Sequence, residues 1–424
     1  MDIKLKGTIF MEEYLRLPRG MHDRNSIWNA HKTEILKLHD QCGKGIGCDV
    51  MSYSYVSFKS TFTKDCNITN DKIYEFLDKS GRTLVLTCDS TASILREYLS
   101  DPLCLPRRIS FISPTFRYWT DSAHNRFFTQ LGYCIINEGL SQGVLDIHTI
   151  QLTSAMYDFL SELGIKTTIF LNDYTAIKKI FSKYVNDNEL KDFIYKFQFS
   201  GTEQRPQIID SVVSDFILKR QLRNIFSSEP MELYSYMSPD ENPLDLPNEY
   251  FGIYEMAYMI KNTCDSSVFF CPTDLHCIEM MDSYTVRFMI NNSFAIAEGG
   301  NYSEYAKKFN THIHSFWSIC SGIEPLERTV QWCENNTTSN RVAVFNYGAS
   351  SSYILSVINS LKTIGYIPCF ISDVTNIRSA IKQIKNLYDK FTIIGANEEC
   401  QNYFYIKDAV TGKTEKIPTL DRDR

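Results

Sequence analysis

Three short stretches carry side chains whose types and spacing could do chemistry. The stretch FISPTFRYWTDSAHNRFFTQLGY, residues 111 to 133, places Arg117 and Arg126 on either side of a polar turn, with Gln130 close behind. Guanidinium groups stay charged at any physiological pH and present a planar fork of donors, so two on one hairpin call for an anion. The same arginines would also suit a solvent-facing hairpin. A second candidate pair, Glu327 and Arg328, sits where a strand leads into a helix and could equally form an intradomain ion pair. The third is Asp89-Ser90-Thr91, which can hold a ligand or simply start a helix, Ser90 or Thr91 serving as its N-cap. Cys271, His276 and Cys277 match no zinc spacing and lack a fourth ligand, so they read as buried thiols and a strand histidine, and no metal is expected. His312 and His314 are expected to share one strand face. There is no HExxH, Walker A or GxSxG pattern.

These residues need rigid elements to hold them. RRISFISPTFRYW and FFTQLGYCIINE alternate as two strands joined by TDSAHN, which predicts a hairpin. RTLVLTCDS reads as a strand ending at Asp89, with a helix beginning in TASILREYL. WNAHKTEILKLHDQC has helical spacing, and CDVMSYSYVSFKSTF alternates as a strand. From about 151 to 230 the pattern is helical with a lysine-rich face. Strands return in SVFFCPTDLHCIEMM and SYTVRFMINNSFAIAEGG, where Gly299-Gly300 predicts a turn. ENNTTSN, residues 334–340, reads as a linker. Beyond it, strand and helix alternate over residues 341–424, which predicts a small α/β domain with a largely parallel sheet.

The chain has 424 residues, 43% hydrophobic and 22% charged, ordinary values for a globular protein of two or three domains. It has no apolar run long enough to span a membrane and no secretory leader pattern, and its thirteen cysteines follow no repeat. A cytoplasmic protein with reduced thiols is therefore expected. The net charge of −6 argues against wholesale coating of nucleic acid. The charge is uneven, however: residues 341–424 hold 11 Lys/Arg against 8 Asp/Glu, a mildly basic tail compatible with docking to RNA.

With these elements in order, the chain resembles the histidyl-tRNA synthetases, which are class II aminoacyl-tRNA synthetases, over nearly its whole length. LPRGMHD (17–23) is similar to the family's PRGxxD. Residues 74–98 resemble the segment ending in LRPEGTxxxxR, and the arginine hairpin resembles motif 2, FRxE…RxRxFxQ. AEGGNYSEY (297–305) resembles GGGRYDGL, GIEPLERTV (322–330) resembles motif 3, and the tail resembles the family's anticodon-binding domain. The resemblance implies an α+β fold: a class II synthetase-like antiparallel-sheet core over 1–333 with a helical insertion at about 174–245. A linker at 334–340 and an anticodon-binding-like α/β domain over 341–424 follow. It also implies ATP with Mg2+ as cofactor if the site is active, a homodimer, and possible contact with tRNA or another RNA. By motif match, Arg117 would hold the α-phosphate and stabilise charge as the carboxylate attacks. Arg126, Glu327 and Arg328 would contact ATP, while Asp89, Ser90, Thr91 and Gln130 would contact an amino-acid-like substrate.

The departures are as informative. Trp119 replaces the glutamate near adenine, His124 replaces the first arginine of RxRxFxQ, and Cys134 stands where the family has a substrate-binding glutamate. The arginine-bearing RGLDYYTG segment has no counterpart in CPTDLHCIEMM, which removes an activating guanidinium and the imidazole-reading tyrosines. Motif 3 loses a glycine to Pro325-Leu326, and motif 1 lacks its proline. The resemblance with these gaps implies a paralogue with a degenerate histidine site, a ligand-binding or regulatory protein. The alternative is an ATP-dependent amino-acid-activating ligase, including a highly diverged histidine–tRNA ligase.

Overall fold

A computed structural model describes residues 17–419, apart from 64–69, 102–105, 121–124, 139–141, 202, 235–236, 238–239, 279, 311, 333–340, 374–377, 379–387, 389 and 410. The proposed linker, His124 and most of the hairpin turn lie outside the described residues. The chain divides into two compact units, Met1–Gln331 and Trp332–Arg424.

In the first unit the strands are β1 (Asp49–Ser52), β2 (Val56–Phe58), β3 (Glu75–Leu77), β4 (Thr83–Leu86), β5 (Arg107–Phe116) and β6 (Phe127–Ile136). They continue with β7 (Thr168–Asp173), β8 (Met231–Leu233), β9 (Val268–Phe270), β10 (Asp282–Ile290), β11 (Phe294–Asn301) and β12 (Phe316–Gly322). Nine of them form one sheet in the order β1-β5-β6-β12-β11-β10-β7-β9-β8, and β2-β4-β3 form a small second sheet. The pairs along the centre of the large sheet are antiparallel; β1/β5 and β7/β9 are parallel.

Alternation along β6 assigns the two faces of the large sheet. Cys134 and Ile136 join Phe111, Leu95, Tyr98 and Phe316 in a core beneath the helix Ser90–Tyr98. Tyr133 points the other way and stacks on His39 of the helix Ser26–Gly45, with ring centroids 4.7 Å apart. Phe159, from the helix Gln142–Glu162, meets the same imidazole edge-on. Each residue therefore serves one layer or the other, as a period of two requires.

Several sequence expectations change. The stretch CDVMSYSYVSFKSTF is two short strands followed by the helix Lys59–Thr63. The region read as continuously helical from 151 contains β7, whose TIFLND run is buried on both faces and so shows no alternation. Gly299 and Gly300 are not a turn but lie inside β11. A Cβ at Gly299 would stand 2.3 Å from the Ser318 carbonyl oxygen, so the missing side chain lets β11 and β12 approach. The turn is instead Asn291-Asn292, both at positive φ, as a tight hairpin joining β10 to β11 demands. His312 and His314 precede β12 rather than sharing a strand.

The second unit contains β13 (Arg341–Tyr347), β14 (Ile367–Asp373), β15 (Lys390–Gly395), β16 (Tyr403–Asp408) and β17 (Thr414–Pro418), ordered β14-β13-β15-β16-β17. The sheet is mixed rather than largely parallel: β13 runs parallel to β14 and β15, but β15/β16 and β16/β17 are antiparallel. IKDAVTGKTEKI explains the difference, because its Gly412 sits at positive φ in a hairpin turn that reverses the chain. The helix Ser351–Thr363 packs Val357 and Leu361 against Val342, Val344, Ile394 and Phe404. Among the described residues of the chain, no helix is long and apolar enough to cross a membrane.

Candidate functional site

The open end of the β5–β6 hairpin is pinned from three sides. The Phe116 N–H donates to Thr87 O at 2.7 Å, the Tyr118 N–H to Lys72 O at 2.9 Å, and the Arg126 N–H to Gly20 O at 2.8 Å. Gly20 has φ +74°, and a Cβ there would meet Arg126 Cγ at 2.8 Å. The His22 imidazole reaches Asn125 Oδ1 at 3.1 Å. The PRGMHD stretch thus clasps the hairpin.

That hairpin forms one wall of a cleft of about 590 Å³. Arg117, Trp119 and Gln130 come from the hairpin, Arg287 from β10, Glu298 from β11, and Glu324 and Arg328 from the helix Ile323–Thr329 after β12. The floor is a cross-strand row, in which Arg287 faces Glu298, Glu298 faces Cys320, and Cys320 faces Gly132. Gly132 is the close-packing point, since a Cβ there would lie 2.0 Å from Ile319 O.

Arg117 and Arg287 are both paired and only partly exposed. Arg117 Nε donates to Cys88 O at 2.9 Å, and its Nη2 lies 3.4 Å from Asp89 Oδ2. Asp89 is also the N-cap of the helix Ser90–Tyr98, accepting from the Ala92 N–H at 3.2 Å. Asp89, rather than Ser90 or Thr91, is therefore the cap; those two are buried in the first turn. Arg287 Nη1 donates to Asp274 Oδ2 at 2.6 Å, and its Nε lies 3.3 Å from Glu298 Oε2. His276 Nε2 lies 3.5 Å from Glu298 Oε1.

Burial opposes charge on Glu298, but the neighbouring His276, Arg287 and Arg117 outweigh it and hold the carboxyl below its usual value. The adjacent Cys277 side chain and the Glu298 carboxylate raise the His276 imidazole above its ordinary value. Burial raises the Glu324 carboxyl, although the Thr129 N–H donates to it at 3.0 Å. Arg328 is exposed and has no ion-pair partner among the described residues.

The structure brings Arg117, Gln130 and Arg328 into one cleft and sets Asp89 directly behind Arg117. Arg126 does not line it: its guanidinium stacks on Tyr118 at 4.1 Å, and its Nε donates to Trp119 O. Glu327 turns away to His31 Nδ1, 3.1 Å distant. Trp119 does not plug the space; it stands in the wall with Lys72 Nζ 4.7 Å from its ring centroid. Sequence reasoning missed Arg287, Glu298 and Glu324, and read His276 as a strand histidine, whereas it lies exposed in the turns between β9 and β10. The available signal was an arginine inside the apolar run YTVRFMI and a glutamate just before a glycine pair, charges that β-strand interiors rarely carry without a partner.

No protein-family profile matches the chain. It is 23% identical to the histidine–tRNA ligase of Mycoplasma mycoides subsp. mycoides over 435 residues, covering 96% of this chain and 98% of that one. It is 25% identical to the histidine–tRNA ligase of Rickettsia canadensis over 416 residues, covering 95% and 96%. Among solved structures, an ATP phosphoribosyltransferase regulatory subunit/histidyl-tRNA synthetase from Bacillus halodurans superposes with a TM-score of 0.71 at 16% identity, covering 91% of this chain and 98% of that one. The histidyl-tRNA synthetase from Nostoc superposes with a TM-score of 0.69 at 14% identity, covering 95% and 96%. Along nearly its whole length the chain is similar to histidyl-tRNA synthetases, and it has their class II α+β fold.

Proposed function

We propose that the cleft binds ATP together with an amino acid and joins them as an aminoacyl-adenylate, the chemistry of an ATP-dependent ligase. The observation that carries this reading is the convergence of Arg117, Arg287 and Arg328 from three separate elements on one cleft. Adenylate formation needs such an arrangement. The carboxylate attacks the α-phosphorus, negative charge builds on the phosphoryl oxygens, and pyrophosphate departs. Fixed guanidinium groups stabilise that charge without reorganising. Asp89 and Cys88 O fix Arg117 on one side, and Asp274 and Glu298 fix Arg287 on the other. Both guanidinium groups are thus held by protein groups on the side away from the open cleft. Arg328, exposed and without an ion-pair partner among the described residues, is the natural contact for the terminal phosphates. In this reading magnesium enters as the complex of the nucleotide. Transfer to an RNA held partly by the Trp332–Arg424 unit would complete the reaction.

The second reading is a ligand-binding or regulatory protein without ligase activity. It is favoured by the 3.4 Å Asp89–Arg117 pair, which neutralises part of the charge that Arg117 could offer a phosphate. Amino-acid-dependent ATP–pyrophosphate exchange, run with each of the twenty amino acids, separates the two. Exchange with at least one supports the ligase; its absence in folded protein that still binds ATP supports the binding role.

A further inference from the structure

The cleft floor holds a carboxylate whose acceptor positions the arginine cluster does not fill. Glu298 lies in the middle of β11 between Ala297 and Gly299, and its side chain remains 35% exposed beside the cleft. An ionised carboxylate offers about four acceptor positions. Its partners among the described residues are His276 at 3.5 Å and Arg287 at 3.3 Å, both longer than a charge-assisted hydrogen bond. The surrounding positive charge keeps the group ionised, and its unused acceptor positions adjoin the same open space as Gln130 and Arg117. A carboxylate held charged in a partly water-excluded cleft favours a ligand group that brings donors.

We propose that Glu298, supported by His276 and Arg287, is the specificity-determining residue of this cleft and receives a cationic, hydrogen-bond-donating group of the ligand. This rests on the adenylate reading above. Two parts of an amino acid could supply such a group: the α-ammonium that all share, or the side chain of a basic one. Glu298 also lies 3.3 Å from Arg287 Nε, but Arg287 keeps its shorter 2.6 Å bond to Asp274 when Glu298 is changed, so ATP binding is the control that separates loss of amino-acid recognition from disturbance of the arginines.

The test is equilibrium binding of ATP alone and of a series of non-hydrolysable aminoacyl-sulfamoyl adenosines, carrying basic, neutral polar and apolar side chains, to the full chain and to Glu298→Gln. The substitution keeps size and removes charge; the thermal midpoint of the free variant reports its folding, and ATP binding reports the integrity of the arginines. Loss of one charge-assisted hydrogen bond predicts a 10- to 100-fold larger dissociation constant for the affected compounds, about 1.4–2.7 kcal/mol. Loss confined to the basic compounds assigns Glu298 to the side chain, and equal loss across the series assigns it to the α-ammonium. Unchanged affinities for the whole series in the folded variant overturn the proposal while leaving the adenylate reading intact. Failure of the unmodified chain to bind ATP or any of the compounds overturns both.

Discussion

The imidazole of His39 couples pH to the integrity of the cleft. It is 1% exposed, lies between Tyr133 and Phe159, has its Nε2 3.1 Å from Gly132 O, and has Ser110 Oγ 3.3 Å from its Nδ1. Burial outweighs the Gly132 hydrogen bond and the nearby Asp40 charge, bringing the pKa from 6.5 down to about 4. Because the folded value lies below the unfolded one, the unfolded chain takes up the proton first. The neutral form's contribution is complete above about pH 6.5 and is lost as pH falls from there toward 4. Linkage over that gap gives roughly 2 kcal/mol lost at pH 5 and about 3 kcal/mol at pH 4. Urea unfolding at pH 7.5, 6 and 5 measures this, with His39→Gln as the comparison that removes the titrating group but keeps polar atoms. The unmodified chain should lose about 2 kcal/mol more than His39→Gln between pH 7.5 and 5. Parallel losses in the two proteins would refute the argument that burial, rather than solvent, sets the state of this imidazole.

Other expectations follow from single contacts. Gly132→Ala forces a Cβ to within 2.0 Å of Ile319 O, so β6 and β12 must separate; a loss of about 3 kcal/mol or more is expected in denaturant titration. Arg108 donates twice to Glu138, at 2.7 and 2.6 Å, and once to Ile46 O. Arg108→Ala should cost about 2–3 kcal/mol, less than a fully buried pair because both side chains retain about a quarter of their surface, and adding Glu138→Gln should recover part of the loss. Arg328→Ala should leave the thermal midpoint in place and raise the KM for ATP about tenfold in exchange assays, the mark of a lost phosphate contact.

The legible part of the fold was the part carried by local pattern. The β5–β6 hairpin, the strand-to-helix step at Asp89 and the β12-to-helix step at Gly322 each combine periodicity with a turn or cap residue. Their side chains Arg117, Gln130 and Arg328 duly meet. What stayed hidden depends on register between segments distant in sequence. The local β10–β11 hairpin sets Arg287 opposite Glu298, but the two meet the arginine hairpin only because β11 pairs with β12 and β12 with β6, and no local spacing encodes those pairings. Arg126 shows the reverse. Its place in a motif suggested a nucleotide contact, but Tyr118 offers its ring face eight residues away and claims the guanidinium. Gly299 and Gly300 read as a turn because glycine's freedom is the commoner reason for a pair; here the reason is the closeness of β11 to β12.

On the adenylate reading, Arg287 from β10 completes the guanidinium set that activates a carboxylate. Single-turnover formation of the adenylate from radiolabelled ATP, in the unmodified chain and in Arg287→Ala and Arg287→Lys, tests it most directly. Comparable ATP affinity, with adenylate formation at least 100-fold slower in Arg287→Ala and partly restored by lysine, is the predicted result. Formation at the unmodified rate in Arg287→Ala would contradict it and return Arg287 to a structural partner of Asp274 and Glu298.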